Sequence, residues 1–441
     1  MKKIALIILC VIFVLNITSC NRKDEIIIGL NYEGSGTLAP YGKAILLGVE
    51  LAVEEINASG GIDGRLLRLE KADNRSTGAE SASAVLYLKS VKKADVIIGP
   101  ATSTLAKASL SAGADVLIVS PSATADELTA NTAPLVVSDR SLTFRSQPFD
   151  DGAKVCLPFI SHRERSASLP SATSDELTKN NVGVSNARPQ TPPTISVKDS
   201  DTAPVGASIA RPQAQSPQFA RLCFSDSVQG SVMGEYANSQ GFKKSAVLVD
   251  MSSDYSVGCA SAFRSAFAGE VVFEGRFFSG DTDFSALVTE LAKTDFDCVY
   301  LPAYYTEAGL IIRQSREQGI DKTFLGGDAM DSPYLADVIG NPEYLHSITY
   351  SNHFSQDDKN YQTFAQKFFD RYGENPHTYS ALAYDSVMLY CETLRKIGVE
   401  NIQSVENALF NTESFQGVTG KITIKENGDC EKRPVFTSLF E

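Results

Sequence analysis

Two blocks of alternating strand-like and helix-like segments, parted by a long proline-rich stretch, constrain this chain more than any other feature. In the first block, Glu25–Leu30 (EIIIGL) is a short β-branched run of the buried-strand kind. Residues 43–57 then place Ile45, Val49, Ala52, Val53 and Ile56 on one face at helical spacing, and the run stops at Asn57-Ala-Ser-Gly-Gly61. ADVIIG at 94–99 predicts a second strand, 103–112 a helix and DVLIVS at 115–120 a third strand. The second block offers strands at 245–250, 271–273, 297–301 and 323–326. Helices are expected at 255–267, 284–293, 307–318, 361–372 and 381–397, with a last strand at 420–425. Such alternation means βαβ units and parallel sheets, hence an α/β fold.

The stretch between the blocks has a different character. Residues 130–218 hold ten of the eighteen prolines, and apolar periodicity fades there. PSATADELT at 121–129 returns as PSATSDELT at 170–178, and Ala-Arg-Pro-Gln occurs at both 187–190 and 210–213. Its composition offers little apolar surface to offset the ordering of the chain, so 135–218 reads as an irregular or disordered insertion.

The N-terminus sets the compartment. Lys2 and Lys3 precede a mostly apolar run from Ile4 to Ile17, then Thr18-Ser19-Cys20. The run is shorter than the ~20 apolar residues a spanning helix needs, and its flanks are those of a signal peptide over 1–19. Ile17-Thr18-Ser19-Cys20 resembles a bacterial lipobox, which makes Cys20 the lipidated residue and 20–24 a tether. An ordinary secretory signal with an incidental cysteine is the other reading. Of the later cysteines, Cys156, Cys223, Cys259, Cys298, Cys391 and Cys430, none forms a CxxC, which argues against a zinc knuckle. Several sit in apolar strings and are expected as buried thiols.

Charge and motifs exclude further classes. With 40 Lys+Arg against 53 Asp+Glu, a net charge of -13 does not suit a nucleic-acid binder. There is no GxSxG elbow and no Walker A string, and Gly34-Ser-Gly36 lacks a third glycine, so neither an enzyme nor a cofactor is expected. His353 and His377 lie in polar segments without a nucleophile partner and are expected at the surface.

Ten strings in order resemble the type I periplasmic binding proteins, the Leu/Ile/Val-binding family of ABC importers. They include IIIGLNYEGSGTLAPYGKAILLGVELAVEEINASGGIDGRLLRL at 26–69, VIIGPATST at 96–104, IVSPSAT at 118–124 and RLCFSDSVQG at 221–230. Others are AYYTEAGLIIRQSREQG at 303–319, FLGGDAM at 324–330, YSALAYDSV at 379–387 and FQGVTGKITIKENGD at 415–429. The resemblance covers nearly all of the chain after the signal except 135–218. It implies two Rossmann-like lobes joined by a multi-strand hinge, with lobe one at 25–134 plus 354–425 and lobe two at 219–353 plus 426–441.

In open parallel sheets ligands bind beyond the C-terminal strand ends. VIIGPATST is a strand, a turn and a helix start, where free N–H groups suit a carboxylate. The resemblance assigns the ligand α-carboxylate to Thr102, Ser122 and Thr124; capping by the same hydroxyls is the plainer reading. Ser171 and Thr173 of the second PSAT string compete, but Ser122 and Thr124 follow an apolar strand, the more rigid support. Asp328 is implied as the acid for an ammonium. Tyr304, with Tyr305 as competitor, and Tyr41 and Tyr255 are implied as aromatic walls. The disulfide of the Leu/Ile/Val branch falls on Asn74 and Ala101 and is absent.

The expected function is extracytoplasmic capture of a small amino acid, branched-chain or related, by lobe closure and delivery to an ABC permease. The protein is expected to be a monomer held to the membrane through Cys20. A ligand-sensing or partner-binding lipoprotein is the alternative.

Overall fold

The computed structural model describes residues 25–112, 115–130, 219–410 and 412–439, all within one compact unit. The signal segment, Cys20 with its tether, the 135–218 insertion and the second PSAT string lie outside the described residues. Strand β1 (Glu25–Tyr32) alternates so that Ile26, Ile28 and Leu30 are fully buried. Helix α1 (Ala39–Ala58) starts on Pro40, whose fixed φ suits a first turn, and buries the apolar face expected of it. Then follow β2 (Leu66–Asp73), α2 (Gly78–Ser90), β3 (Val96–Ile98), α3 (Ser103–Ser111), β4 (Ile118–Ser120), the short α4 (Glu127–Ala130) and β5 (Phe219–Arg221). These strands form a wholly parallel sheet in the order β2-β1-β3-β4-β5.

The second sheet is built by α5 (Asp226–Ser239), β6 (Lys244–Asp250), α6 (Asp254–Ala266), β7 (Glu270–Phe277), α7 (Ser285–Leu291), β8 (Cys298–Tyr300), α8 (Tyr305–Glu317), β9 (Thr323–Gly326), α9 (Leu335–Ile339) and β10 (Ile348–Asn352). The chain then returns to the first lobe through α10 (Lys359–Tyr372) and α11 (Thr378–Ile397). Gly48 of α1 faces α11 so closely that a Cβ would sit 2.1 Å from the Ser380 carbonyl oxygen. After α12 (Val405–Leu409), an antiparallel meander of β11 (Phe415–Gly417), β12 (Gly420–Ile424) and β13 (Cys430–Glu431) leads to β14 (Val435–Ser438). The second sheet runs β14-β10-β9-β8-β6-β7, parallel except for β14 at its edge.

Pairing of Phe219–Arg221 with Ile118–Ser120 puts β5 in the first sheet. The first crossing therefore follows Arg221, instead of preceding residue 219, because FAR continues the buried parallel layer. The other crossings follow Asn352 and Glu431.

Arg221 pins this region together. It is only 1% exposed, and its guanidinium donates to the carbonyls of Thr124 (2.6 Å) and Ala125 (2.9 Å). It also donates to Thr129 Oγ1 at 2.8 Å and to Asp429 Oδ1 at 2.8 and 2.5 Å. The five described cysteines, Cys223, Cys259, Cys298, Cys391 and Cys430, are buried and free, as the apolar strings suggested for several of them. Asn74 and Ala101 carry no disulfide; Asn74 Nδ2 donates instead to Asn31 Oδ1 at 3.1 Å.

Arg221→Met removes the ion-pair partner of Asp429 and the donor to the Thr124 and Ala125 carbonyls, and urea titration should read a loss of roughly 3–5 kcal/mol; a loss under 1 kcal/mol would show the clamp to be dispensable. Because Thr129 and Arg221 hold the two flanks of residues 131–218 together, a short Gly/Ser linker in place of that stretch should leave cooperative thermal unfolding. The midpoint should stay within about 2 °C, equivalent to ~1 kcal/mol for a folded body of this size.

Candidate functional site

The segments that follow β3 and β4 carry the three hydroxyls singled out in the first lobe. After β3 the turn Gly99-Pro100-Ala101-Thr102 enters α3; Gly99 has φ +87, and a Cβ there would lie 2.1 Å from Asn31 O. Thr102 caps α3 in extended conformation without bonding its own helix, and its buried Oγ1 has no partner. After β4, Ser122 donates to Ala101 O at 2.9 Å, while the Thr124 hydroxyl is hydrogen-bonded to the Asp226 carboxylate. Both are plain structural bonds, so of the three hydroxyls Thr102 alone is uncommitted.

The second lobe contributes Asp328, just past β9 and 1% exposed. Gln229 Nε2 donates to its Oδ1 and His353 Nε2 meets its Oδ2, both at 2.9 Å. Gln229 Oε1 accepts from the Asp328 N–H at 2.8 Å and from the Tyr255 hydroxyl at 3.2 Å. Gly327 makes room for this: a Cβ would fall 1.9 Å from Gln229 Oε1. His353 is therefore buried, not at the surface; the polar string around it ends a buried strand, and its ring lies tilted against that of Phe224, 4.0 Å away. His377 is half-buried and also departs from the surface expectation, its ring 5.7 Å from that of Tyr41. Burial holds both imidazoles below the usual histidine range and hence neutral.

Tyrosines join the two halves. The Tyr41 hydroxyl donates to Ala329 O at 2.8 Å and accepts from the Tyr305 N–H at 3.1 Å, bridging first lobe to second. Its ring lies 5.5 Å from Tyr304 and 5.1 Å from Tyr379, and Tyr304 lies 5.7 Å from Tyr255. Tyr304 thus contacts both Tyr41 and Tyr255, and Tyr305 meets Tyr41 edge-on at 5.5 Å. Burial raises the phenols of Tyr41, Tyr255, Tyr304 and Tyr379 well above their usual range, so all stay neutral.

Among the seven residues singled out from sequence, Tyr41, Tyr304 and Tyr255 are in ring contact, Asp328 is linked to Tyr255 through Gln229, and Ser122 is bonded to the turn that carries Thr102. Sequence reasoning missed Gln229, which braces Asp328, and Asp226 beside Thr124, whose carboxyl burial pushes far up. It also missed Glu33. The Glu33 carboxylate is fully buried and accepts from the Ala101 N–H at 3.0 Å. Gly42 allows α1 to press on this residue, since a Cβ would be 2.1 Å from Glu33 O. An acid in the string NYEGSG was the available signal.

Comparison with known proteins agrees with this architecture. The family model for "Periplasmic binding protein" matches residues 25–145 and 150–435. The "Leu/Ile/Val-binding protein homolog 1" of Brucella melitensis is 29% identical over 49% of this chain and 61% of its own length. The "Amino acid binding protein" of Pseudomonas aeruginosa is 24% identical over 94% of this chain and 89% of its own. The branched-chain amino acid transporter substrate-binding protein LivJ of Streptococcus pneumoniae, solved in complex with isoleucine, superposes with a TM-score of 0.71 at 29% identity. That likeness covers 94% of this chain and 96% of LivJ. With two parallel-sheeted lobes, three crossings and a family match across most of its length, the chain belongs to the periplasmic binding protein family.

Proposed function

We propose that this protein captures a small amino acid, branched-chain or related, between its lobes and delivers it to the permease of an ABC importer. Two observations support this reading: a buried hydroxyl without a partner at a helix start, Thr102, and a braced, buried acid, Asp328, just past β9. A zwitterion has complementary ends: its carboxylate suits the helix start and its ammonium suits Asp328. Ser122 and Thr124 flank the carboxylate end by exchanging their present partners for the ligand. Tyr41, Tyr255 and Tyr304 wall the side chain.

The ligand docks first on the first lobe, and the second then swings in with Asp328 and Tyr304, a hinge closure around the three crossings. Affinity comes from contacts completed only in the closed state, so closure reports occupancy to the permease. We further propose that residues 1–19 direct export and that a lipid on Cys20 holds the monomer at the membrane surface. Among the described residues no helix is long and apolar enough to cross a membrane.

Isothermal titration against the twenty amino acids tests the function; a folded protein that binds none of them would sink it. Asp328→Ala strands a desolvated ammonium and should weaken binding by ~2–5 kcal/mol, and an unchanged affinity would remove Asp328 from the site. Tyr41→Phe removes the interlobe hydroxyl and should weaken binding by about 1 kcal/mol, seen in stopped-flow as faster ligand release with little change in association.

A further inference from the structure

The start of α3, where the ligand carboxylate is expected, already holds a carboxyl group of the protein. Glu33 Oε1 accepts from the Ala101 N–H at 3.0 Å, with the Thr102 N–H and the Asn74 side chain also hydrogen-bonded to this carboxyl. Its other oxygen, Oε2, is buried without a partner, and so is Oγ1 of Thr102. Two uncommitted polar atoms at one helix start, both shut off from water, mark the place where a ligand group completes the set. A second carboxylate arriving there cannot share the site with an ionised Glu33, because like charges at close range cannot both persist. Neutral Glu33 has an O–H to give, whereas ionised Glu33 offers only acceptors.

We propose that Glu33 is a further ligand-binding residue, which as the neutral acid donates its Oε2–H to the carboxylate of the bound amino acid, so that binding takes up one proton from solution. This rests on the amino-acid reading of the cleft. Burial, partly opposed by hydrogen bonds from backbone N–H groups and the Asn74 side chain, brings Glu33 up to about 7. The empty protein is therefore largely ionised at pH 8 and must gain the proton on binding.

The groups around Glu33 do not substitute for it. Tyr41 on α1 and Tyr304 ahead of α8 stay neutral through burial. Asp73, at the end of β2, is turned to the exposed loop, where it binds Ser35 and the Arg75 N–H. Arg75 itself reaches Glu80 at 3.9 Å, and Lys107 of α3 is engaged by Glu127 and Asp254.

Titration calorimetry from pH 6 to 8.5, in pairs of buffers with different ionisation enthalpies, tests the proposal with the tightest-binding amino acid. Wild type should take up close to one proton per ligand at pH 8.5, with Kd rising about tenfold per pH unit above ~7. Glu33→Gln keeps an acceptor for Ala101 and a donor for the ligand. It should take up no proton, bind with flat pH dependence and, at pH 8.5, bind on the order of tenfold tighter than wild type. A residue that merely ties the loop would give no such gain. Wild-type binding without proton uptake, a measurement that needs no variant, overturns the role of Glu33 and leaves the amino-acid reading standing. A Glu33→Gln protein with the wild-type pH profile does the same. Failure of wild type to bind any amino acid at any of these pH values overturns both.

Discussion

The hydrogen bonds of one buried guanidinium hold the parts of this molecule that matter to each other. Arg221 ends the last strand of the first sheet, and from there it reaches the carbonyls of the 123–125 loop, the Thr129 hydroxyl and Asp429. Those partners come from the loop that carries Ser122 and Thr124 and from the segment leading to the last crossing. A charge removed from water is costly unless it is matched and fully hydrogen-bonded, and here carbonyls and one carboxylate supply that match. Asp429 in turn is held below the usual carboxylate range by this neighbour, against the opposing effect of burial. The 123–125 loop is thus fastened through Arg221 to the segment that leads into β13.

Around that fastening the cleft is assembled from unlike devices. Backbone proximity at Gly42, Gly99 and Gly327 brings main chain and side chains within distances that a Cβ would forbid. Acids at Glu33, Asp226 and Asp328 are each buried on a different element, and each has its own donors. Tyrosines fill the space between them without adding charge. Each of these acids is thus held in place by fixed neighbours, the kind of pre-organisation that the proposed binding would use.

Much of this was legible in the sequence, for a physical reason in each case. EIIIGL and the i, i+3, i+4 pattern of α1 announce themselves because a buried layer needs those periodicities. β2 went unread because LLRLEKAD is an edge strand whose Arg68, Glu70 and Lys71 pair at its surface, leaving no clean alternation. In α2, Leu86 and Tyr87 are exposed, which blurs the apolar face. In α5 contact is made through small residues: Gly230 lies so near α6 that a Cβ would be 2.2 Å from Cys259 O. Close approach by glycine leaves no hydrophobic stripe to see. His353 was misplaced for a related reason, since a polar string at a buried strand end resembles a loop until its partners are known. Glu33 escaped notice because an acid packed against a helix start from another strand end has no local sequence signature.

The buried thiols carry a consequence for the life of the molecule. Burial raises all five described cysteines above the ordinary thiol range, so in the folded protein they are poor nucleophiles. Unfolding releases all of them at once. Where the surroundings are oxidising, released thiols form sulfenic acids or mismatched disulfides, and a chain so modified cannot repack cores that have room only for reduced sulfur. Endurance outside the cytoplasm is then governed by how rarely the protein opens, a rate and not an equilibrium.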